Sequence, residues 1–133
     1  MTDPSRISAA RHELALPRLV LIEDDDNVRR SMTMVLRARG FPIDAYRSGT
    51  EFLLMRGQHG GDCLLIDYKM PRLDGLEVMK RARADQDFTP GIMITGYYTD
   101  WLLNRAISAG FSDVLEKPAT PNSLIEKITA ALN

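Results

Sequence analysis

A chain of 133 residues, 44% hydrophobic and 26% charged, suits one globular domain and is too short for two. Its formal net charge of -1 gives no electrostatic case for binding nucleic acid or an anionic membrane. No apolar run approaches the roughly 18 residues of a membrane span, and Met1 to Ala15 mixes charges of both signs, unlike a secretory signal.

Residues 1–16 read as a loose arm or a short extra helix, and 17–133 as the domain proper. Leu19-Val20-Leu21-Ile22 is a continuous apolar run, as expected of a strand buried on both faces. Val28, Met32, Val35 and Leu36 then recur at helical spacing, backed by Arg29, Arg30, Arg37 and Arg39, with Asp26 the expected N-cap and Gly40 the stop. Pro42 to Tyr46 is a short edge strand, because proline removes a ladder donor. Ser48 caps a second helix running through Arg56, with Phe52, Leu53 and Met55 as its apolar contacts.

After Gly60-Gly61 comes a strand from Cys63 to Ile66. Cys63 excludes an intramolecular disulfide and reads as a small buried thiol, since no histidine or second cysteine lies nearby. A cytoplasmic protein is the simplest expectation. The third helix spans about Gly75 to Ala84, with Leu76, Met79 and Ala82 inward. Ile92 to Ile94 is the fourth strand; Leu102, Ala106 and Ile107 line the fourth helix, which Gly110 ends. Val114-Leu115 is the fifth strand, and Leu124, Ile125, Ile128 and Leu132 mark the last helix. The alternation predicts an α/β fold, a doubly wound five-stranded parallel sheet with five helices, which binds ligands beyond the carboxyl ends of its strands.

Polar groups collect at those ends. Glu23, Asp24, Asp25 and Asp26 follow the first strand, Asp67 ends the third, Thr95 the fourth, and Glu116-Lys117-Pro118 follow the fifth. In the common strand order 2-1-3-4-5, Glu23 or Asp24 would meet Asp67. Two unit charges about 4 Å apart repel by roughly 4 kcal/mol at an effective dielectric near 20, so the cluster needs a reason to be ionised. Asp25 and Asp26 are explained as acids at a helix N-terminus; Asp67 is not. A hard divalent cation supplies the reason: magnesium takes one or two carboxylates and keeps waters that exchange for phosphate oxygens. With the Thr95 hydroxyl and the Lys117 ammonium, these are the parts for phosphoryl transfer to a carboxylate.

Glu23-Asp24, Ile66-Asp67-Tyr68-Lys69-Met70-Pro71 with Asp74-Gly75, Thr95-Gly96 and Lys117-Pro118 together resemble the receiver domain of two-component response regulators, over about residues 18 to 132. The resemblance implies the flavodoxin-like fold, with Asp67 as phosphoacceptor and magnesium held by Glu23, Asp24, Asp67 and the backbone carbonyl of Lys69. Thr95 would bond the phosphoryl group, Lys117 would pair with Asp67 or its phosphate, and the Lys117-Pro118 peptide would be cis. Gly75 would shape the loop beside the acceptor. A histidine kinase or histidine phosphotransfer protein would be the donor, and a protein partner or the output domain of a longer regulator the receiver of the signal. Neither nucleic acid nor membrane is an expected partner of the chain itself, and no turnover beyond its own phosphorylation and slow dephosphorylation is expected.

Two features are particular to this chain. Receivers place an aromatic three residues before the lysine, where Val114 stands here. Tyr97, Tyr98 and Trp101 lie just after Thr95 instead, and one of them is expected to take over the signalling contact; the alternative makes Trp101 partly buried packing and the tyrosines loop residues. Lys69 and Tyr97 occupy the places that control water's access to the phosphate in receivers, which implies a phosphorylated lifetime well beyond minutes.

Rival readings remain. Asp24-x-Asp26-x-Val28 imitates the nucleophile motif of dehalogenase-type phosphatases, with Asp24 as nucleophile and Asp26 as general acid, but leaves Asp67 without a role. A phosphorylation-independent interaction module is the other. A nucleotide site is disfavoured, because no Gly-rich loop follows the first strand and acids there repel a pyrophosphate.

Overall fold

The computed structural model describes residues 15–55 and 60–133. The strands are β1 (Leu19–Ile22), β2 (Ile43–Tyr46), β3 (Cys63–Asp67), β4 (Gly91–Thr95) and β5 (Asp113–Glu116). The helices, among the described residues, are α1 (Asp26–Ala38), α2 (Gly49–Met55), α3 (Gly75–Ala84), α4 (Asp100–Ala109) and α5 (Pro121–Leu132). All strand pairs are parallel, in the order β2-β1-β3-β4-β5, so the expected α/β topology is the observed one.

Alternate residues of each strand face opposite layers, which is why the central strands β1, β3 and β4 are buried along their whole length while the edge strands β2 and β5 carry Asp44, Asp113 and Glu116. Val20, Ile22, Leu64, Ile66 and Met93 pack with Phe52 of α2, Val78 and Met79 of α3, and Leu102 and Ala106 of α4. Leu19, Leu21, Cys63, Leu65, Ile92 and Ile94 pack against Leu36 of α1 and Leu124 and Ile128 of α5. Each of the fully buried aliphatic side chains contributes about 1.5–3 kcal/mol of transfer free energy. The three central strands are thereby rigid supports for whatever their carboxyl ends carry.

Side chains from the connecting loops start the helices. Asp25 Oδ1 accepts the Val28 N–H at 3.0 Å, Asp74 Oδ1 the Glu77 N–H at 2.9 Å, and Thr99 Oγ1 the Leu102 N–H at 3.0 Å. The cap of α1 is therefore Asp25, not Asp26: the cap needs extended backbone, which Asp25 has at φ -76°, ψ 120°, while Asp26 is already helical. Ser48 does accept the Glu51 N–H at 3.0 Å at the start of α2, whose expected end at Arg56 lies outside the described residues, as do residues 1–14 of the expected arm.

Helix α4 ends at Gly110, whose φ of +114° is the left-handed region glycine tolerates. Arg83 donates to the Gly110 carbonyl at 2.8 Å and the Asp87 carbonyl at 2.7 Å, stitching the far ends of α3 and α4. Ile107 is 48% exposed rather than inward, because the buried stripe of α4 runs through Leu102, Ala106 and Ala109 instead. Among the described residues no helix is long and apolar enough to cross a membrane.

Candidate functional site

The carboxyl ends of β1, β3, β4 and β5 carry the site. Glu23 is held to the sheet by its N–H on the Tyr46 carbonyl at 3.0 Å, and Asp67 is the last residue of β3. Thr95 is the last residue of β4, and its carbonyl accepts the Lys117 N–H at 2.8 Å. Glu23, Asp67 and Thr95 are the buried polar residues among those described, and Asp24 beside them is exposed. One carboxylate oxygen from each of Glu23, Asp24 and Asp67 lies within 4.8 Å of the others.

Among the described residues, one cation reaches into this cluster. Lys117 Nζ lies 2.9 Å from Glu23 Oε1 and 3.2 Å from Asp67 Oδ1. The Lys117-Pro118 peptide is cis. Burial pushes the Glu23 carboxyl above the usual range; the adjacent Asp67 carboxylate adds to this and Lys117 opposes it. Burial also raises Asp24, with Glu23 contributing. For Lys117, burial acts to lower the ammonium, but Glu23 and Asp67 outweigh it and hold it above its ordinary value. Three acids against one lysine leave an excess of negative charge.

The donor set fits magnesium. All three side chains offer hard oxygen ligands, and Glu23 Oε2 is buried without a hydrogen-bond partner, an arrangement that is unfavourable unless something positive satisfies it. Asp24 also borders an open depression of about 660 Å³ shared with Arg47, Thr50, Met70 and Arg72, which leaves that side of the cluster accessible.

Neighbouring residues shape the site. Gly75 donates its N–H to the Tyr68 carbonyl at 2.8 Å, and a Cβ there would stand 2.6 Å from the Asp67 carbonyl oxygen, so only glycine permits this approach. Thr95 Oγ1 accepts the Tyr97 N–H at 2.9 Å, which leaves its own O–H free to donate. Lys69 Nζ sits 4.3 Å from the centroid of the Tyr97 ring.

Sequence reasoning missed Arg29, assigning it to the outer face of α1. Its guanidinium donates to the Glu23 carbonyl at 2.9 Å and to Asp26 Oδ1 at 2.6 Å, fixing the turn that carries the acids. The signal available was its place three residues after Asp26, facing back toward the strand end. Arg29 holds the Asp26 carboxyl below its ordinary value, which unsuits Asp26 for general-acid work.

Val114 is buried at 4% exposure. Tyr97, Tyr98 and Trp101 are 60%, 37% and 58% exposed; Trp101, with Arg105 Cζ 5.2 Å from its ring, lies on the surface rather than in partly buried packing.

A family model described as the response regulator receiver domain matches residues 19–129. Response regulator MprA of Mycobacterium leprae is 33% identical over 115 residues, 86% of this chain and 50% of that protein. The crystal structure of FixJ-N superposes with a TM-score of 0.80 at 29% identity, covering 88% of this chain and 94% of that one. A CheY-like response regulator receiver domain protein from Methanospirillum hungatei JF-1 gives a TM-score of 0.80 at 26% identity, covering 88% and 94%. The chain belongs to the response regulator receiver domain family of two-component signalling. It spans about half the length of the curated relatives it matches.

Proposed function

We propose that the protein is a phosphorylation-controlled switch whose acceptor is Asp67. The observation that carries this reading is the buried Asp67 carboxylate flanked by Glu23 and Asp24 within 4.8 Å and touched by Lys117 at 3.2 Å. In the reaction an Asp67 oxygen attacks phosphorus, a P–O(Asp) bond forms, and the bond to the donor's imidazole nitrogen or acyl oxygen breaks. Lys117 turns its ammonium to a phosphoryl oxygen, and Thr95 donates its free O–H to another. Glu23, Asp24, Asp67 and the Lys69 carbonyl would hold magnesium, which when bound supplies positive charge to the transferring group. Pro118 aims the lysine, and Gly75 keeps the loop close to the acceptor.

The phosphodonor is a histidine kinase or histidine phosphotransfer protein, and the setting is the cytoplasm. Phosphorylation replaces a carboxylate with a bulkier dianion, which biases an existing equilibrium of the β4–α4–β5 face. That face, with Tyr97, Tyr98 and Trp101 exposed beside the site, meets a downstream protein or an output domain of the same regulator. Single substitutions at these three aromatics are expected to weaken that contact; binding equal to the parent's in all three would remove them from it.

The test is incubation with acetyl phosphate and magnesium followed by intact mass. The parent should gain one phosphoryl group and Asp67→Asn none. No gain in either would favour a module that works without phosphorylation.

A further inference from the structure

One side-chain contact spans the two loops beside the acceptor. Lys69 stands two residues past Asp67 and Tyr97 two past Thr95, at the ends of the adjacent strands β3 and β4, where Asp67 pairs with Ile94 and the Tyr68 N–H meets the Ile94 carbonyl at 3.1 Å. The Lys69 ammonium caps the Tyr97 ring at 4.3 Å. Lys69 is exposed, and among the described residues it has no carboxylate partner. The Tyr97 main chain is tied to the site as well, through its N–H on Thr95 Oγ1.

An ammonium over an exposed ring is weakly held, because water competes for the cation. A phosphoryl group on Asp67 presents a dianion with three strong acceptors, and a charge-assisted hydrogen bond to it is the stronger contact. A four-carbon lysine stem two residues from the acceptor spans that neighbourhood. Ring and dianion therefore compete for one cation, and the dianion wins.

We propose that this competition is a switch: phosphorylation of Asp67 draws Lys69 off Tyr97, and the freed Tyr97 ring reports the event at the surface. The inference rests on the phosphoacceptor reading above. It gives this chain a signalling route that does not pass through β5, where Val114 is packed in the core with Leu102 and Ala106. Tyr97 is already 60% exposed beside Tyr98 and Trp101, so losing its cation changes the chemistry and orientation of the surface a partner meets.

The test is fluorine NMR of the full chain carrying fluorotyrosine, titrated with beryllium fluoride and magnesium as the phosphoryl mimic. The chain has four tyrosines, and Tyr97→Phe assigns the relevant resonance. The same spectrum reports the bound mimic. On loading, the parent Tyr97 resonance should move to the position it holds in unloaded Lys69→Met, and Lys69→Met should show no further move. Lys69→Arg, which keeps a cation, should behave as the parent. A bound-mimic signal with the Tyr97 resonance unmoved overturns the proposal, and so does a Lys69→Met resonance that moves as far as the parent's. Absence of any bound mimic in the parent overturns the phosphoacceptor reading itself, and the switch falls with it.

Discussion

Lys117 donates to Glu23 Oε1 at 2.9 Å across 94 residues of sequence. The same ammonium lies 3.2 Å from Asp67, so a lysine occupies the space between two acids that would bind a metal ion. The Glu23 side chain is 2% exposed and that of Lys117 31%, which makes the pair largely desolvated. Removing one partner of a fully buried pair costs about 3–5 kcal/mol, and the partial exposure of the lysine reduces this to roughly 2–3. Lys117→Met is therefore expected to destabilise the metal-free protein by that amount, and magnesium to restore more stability to it than to the parent. Urea unfolding with and without magnesium measures both. Equal gains in the two proteins would mean that the lysine is not standing in for a cation.

The opposite sign is expected at the acceptor. Asp67→Asn removes one of three acids and leaves the Lys117–Glu23 pair intact. Relief of repulsion should raise metal-free stability by about 1–2 kcal/mol, a fraction of the bare Coulomb term because the site is partly open to water. A lower unfolding midpoint for Asp67→Asn without magnesium would show this wrong.

Once formed, the phosphorylated state should last well beyond minutes. Lys69 and Tyr97 stand two residues past Asp67 and Thr95, and a Lys69 side chain drawn onto the phosphoryl group should cover the approach of an attacking water. Lys69→Ala is expected to shorten the lifetime roughly tenfold, about 1.4 kcal/mol in the barrier. Loss of phosphoryl mass after donor removal follows both proteins; parent decay within seconds contradicts the shielding.

Gly75→Ala pushes a methyl group to 2.6 Å from the Asp67 carbonyl and 3.2 Å from Tyr68 Cα, both backbone atoms that cannot rotate away. Overpacking of this kind costs about 1–3 kcal/mol, and the shift in Asp67 should slow phosphoryl uptake. Uptake and stability equal to the parent's would show that the loop yields without moving the acceptor.

Burial, with a smaller contribution from Asp62, pushes the Cys63 thiol up from 9.0 to about 12. The folded state therefore favours the neutral thiol. Its contribution to stability is complete below about pH 9 and is lost as the pH rises toward 12. Native protein at pH near 8 should resist thiol reagents until it unfolds, and Cys63→Ala should lose less stability across the alkaline range. Rapid native-state labelling would refute the thiol's burial.

Much of the site was legible because its residues follow apolar runs too short and too uniform to be anything but strands buried on both faces. Leu19–Ile22 is followed at once by Glu23 and Cys63–Asp67 ends on an acid, and a parallel sheet brings such ends to one edge. Finer assignments were not legible. Asp25 and Asp26 are identical as letters, and which one caps α1 depends on where the backbone turns helical. Ile107 fits a helical stripe on paper, but the face of α4 that packs inward carries Leu102, Ala106 and Ala109 and leaves Ile107 in solvent.

By itself the sequence determined the class of fold, the edge at which the chemistry collects, and the residue types available there, because these follow from periodicity and chain connectivity. Which contacts form among them was decided only by the tertiary structure. Lys117 does reach Asp67 as expected, at 3.2 Å, but its shorter contact, at 2.9 Å, is to Glu23, and Arg29 folds back onto the Glu23 carbonyl. Long cationic side chains reach several acceptors from one Cα, and burial, repulsion and rotamer together select the partner. Those quantities exist only once the strands are side by side.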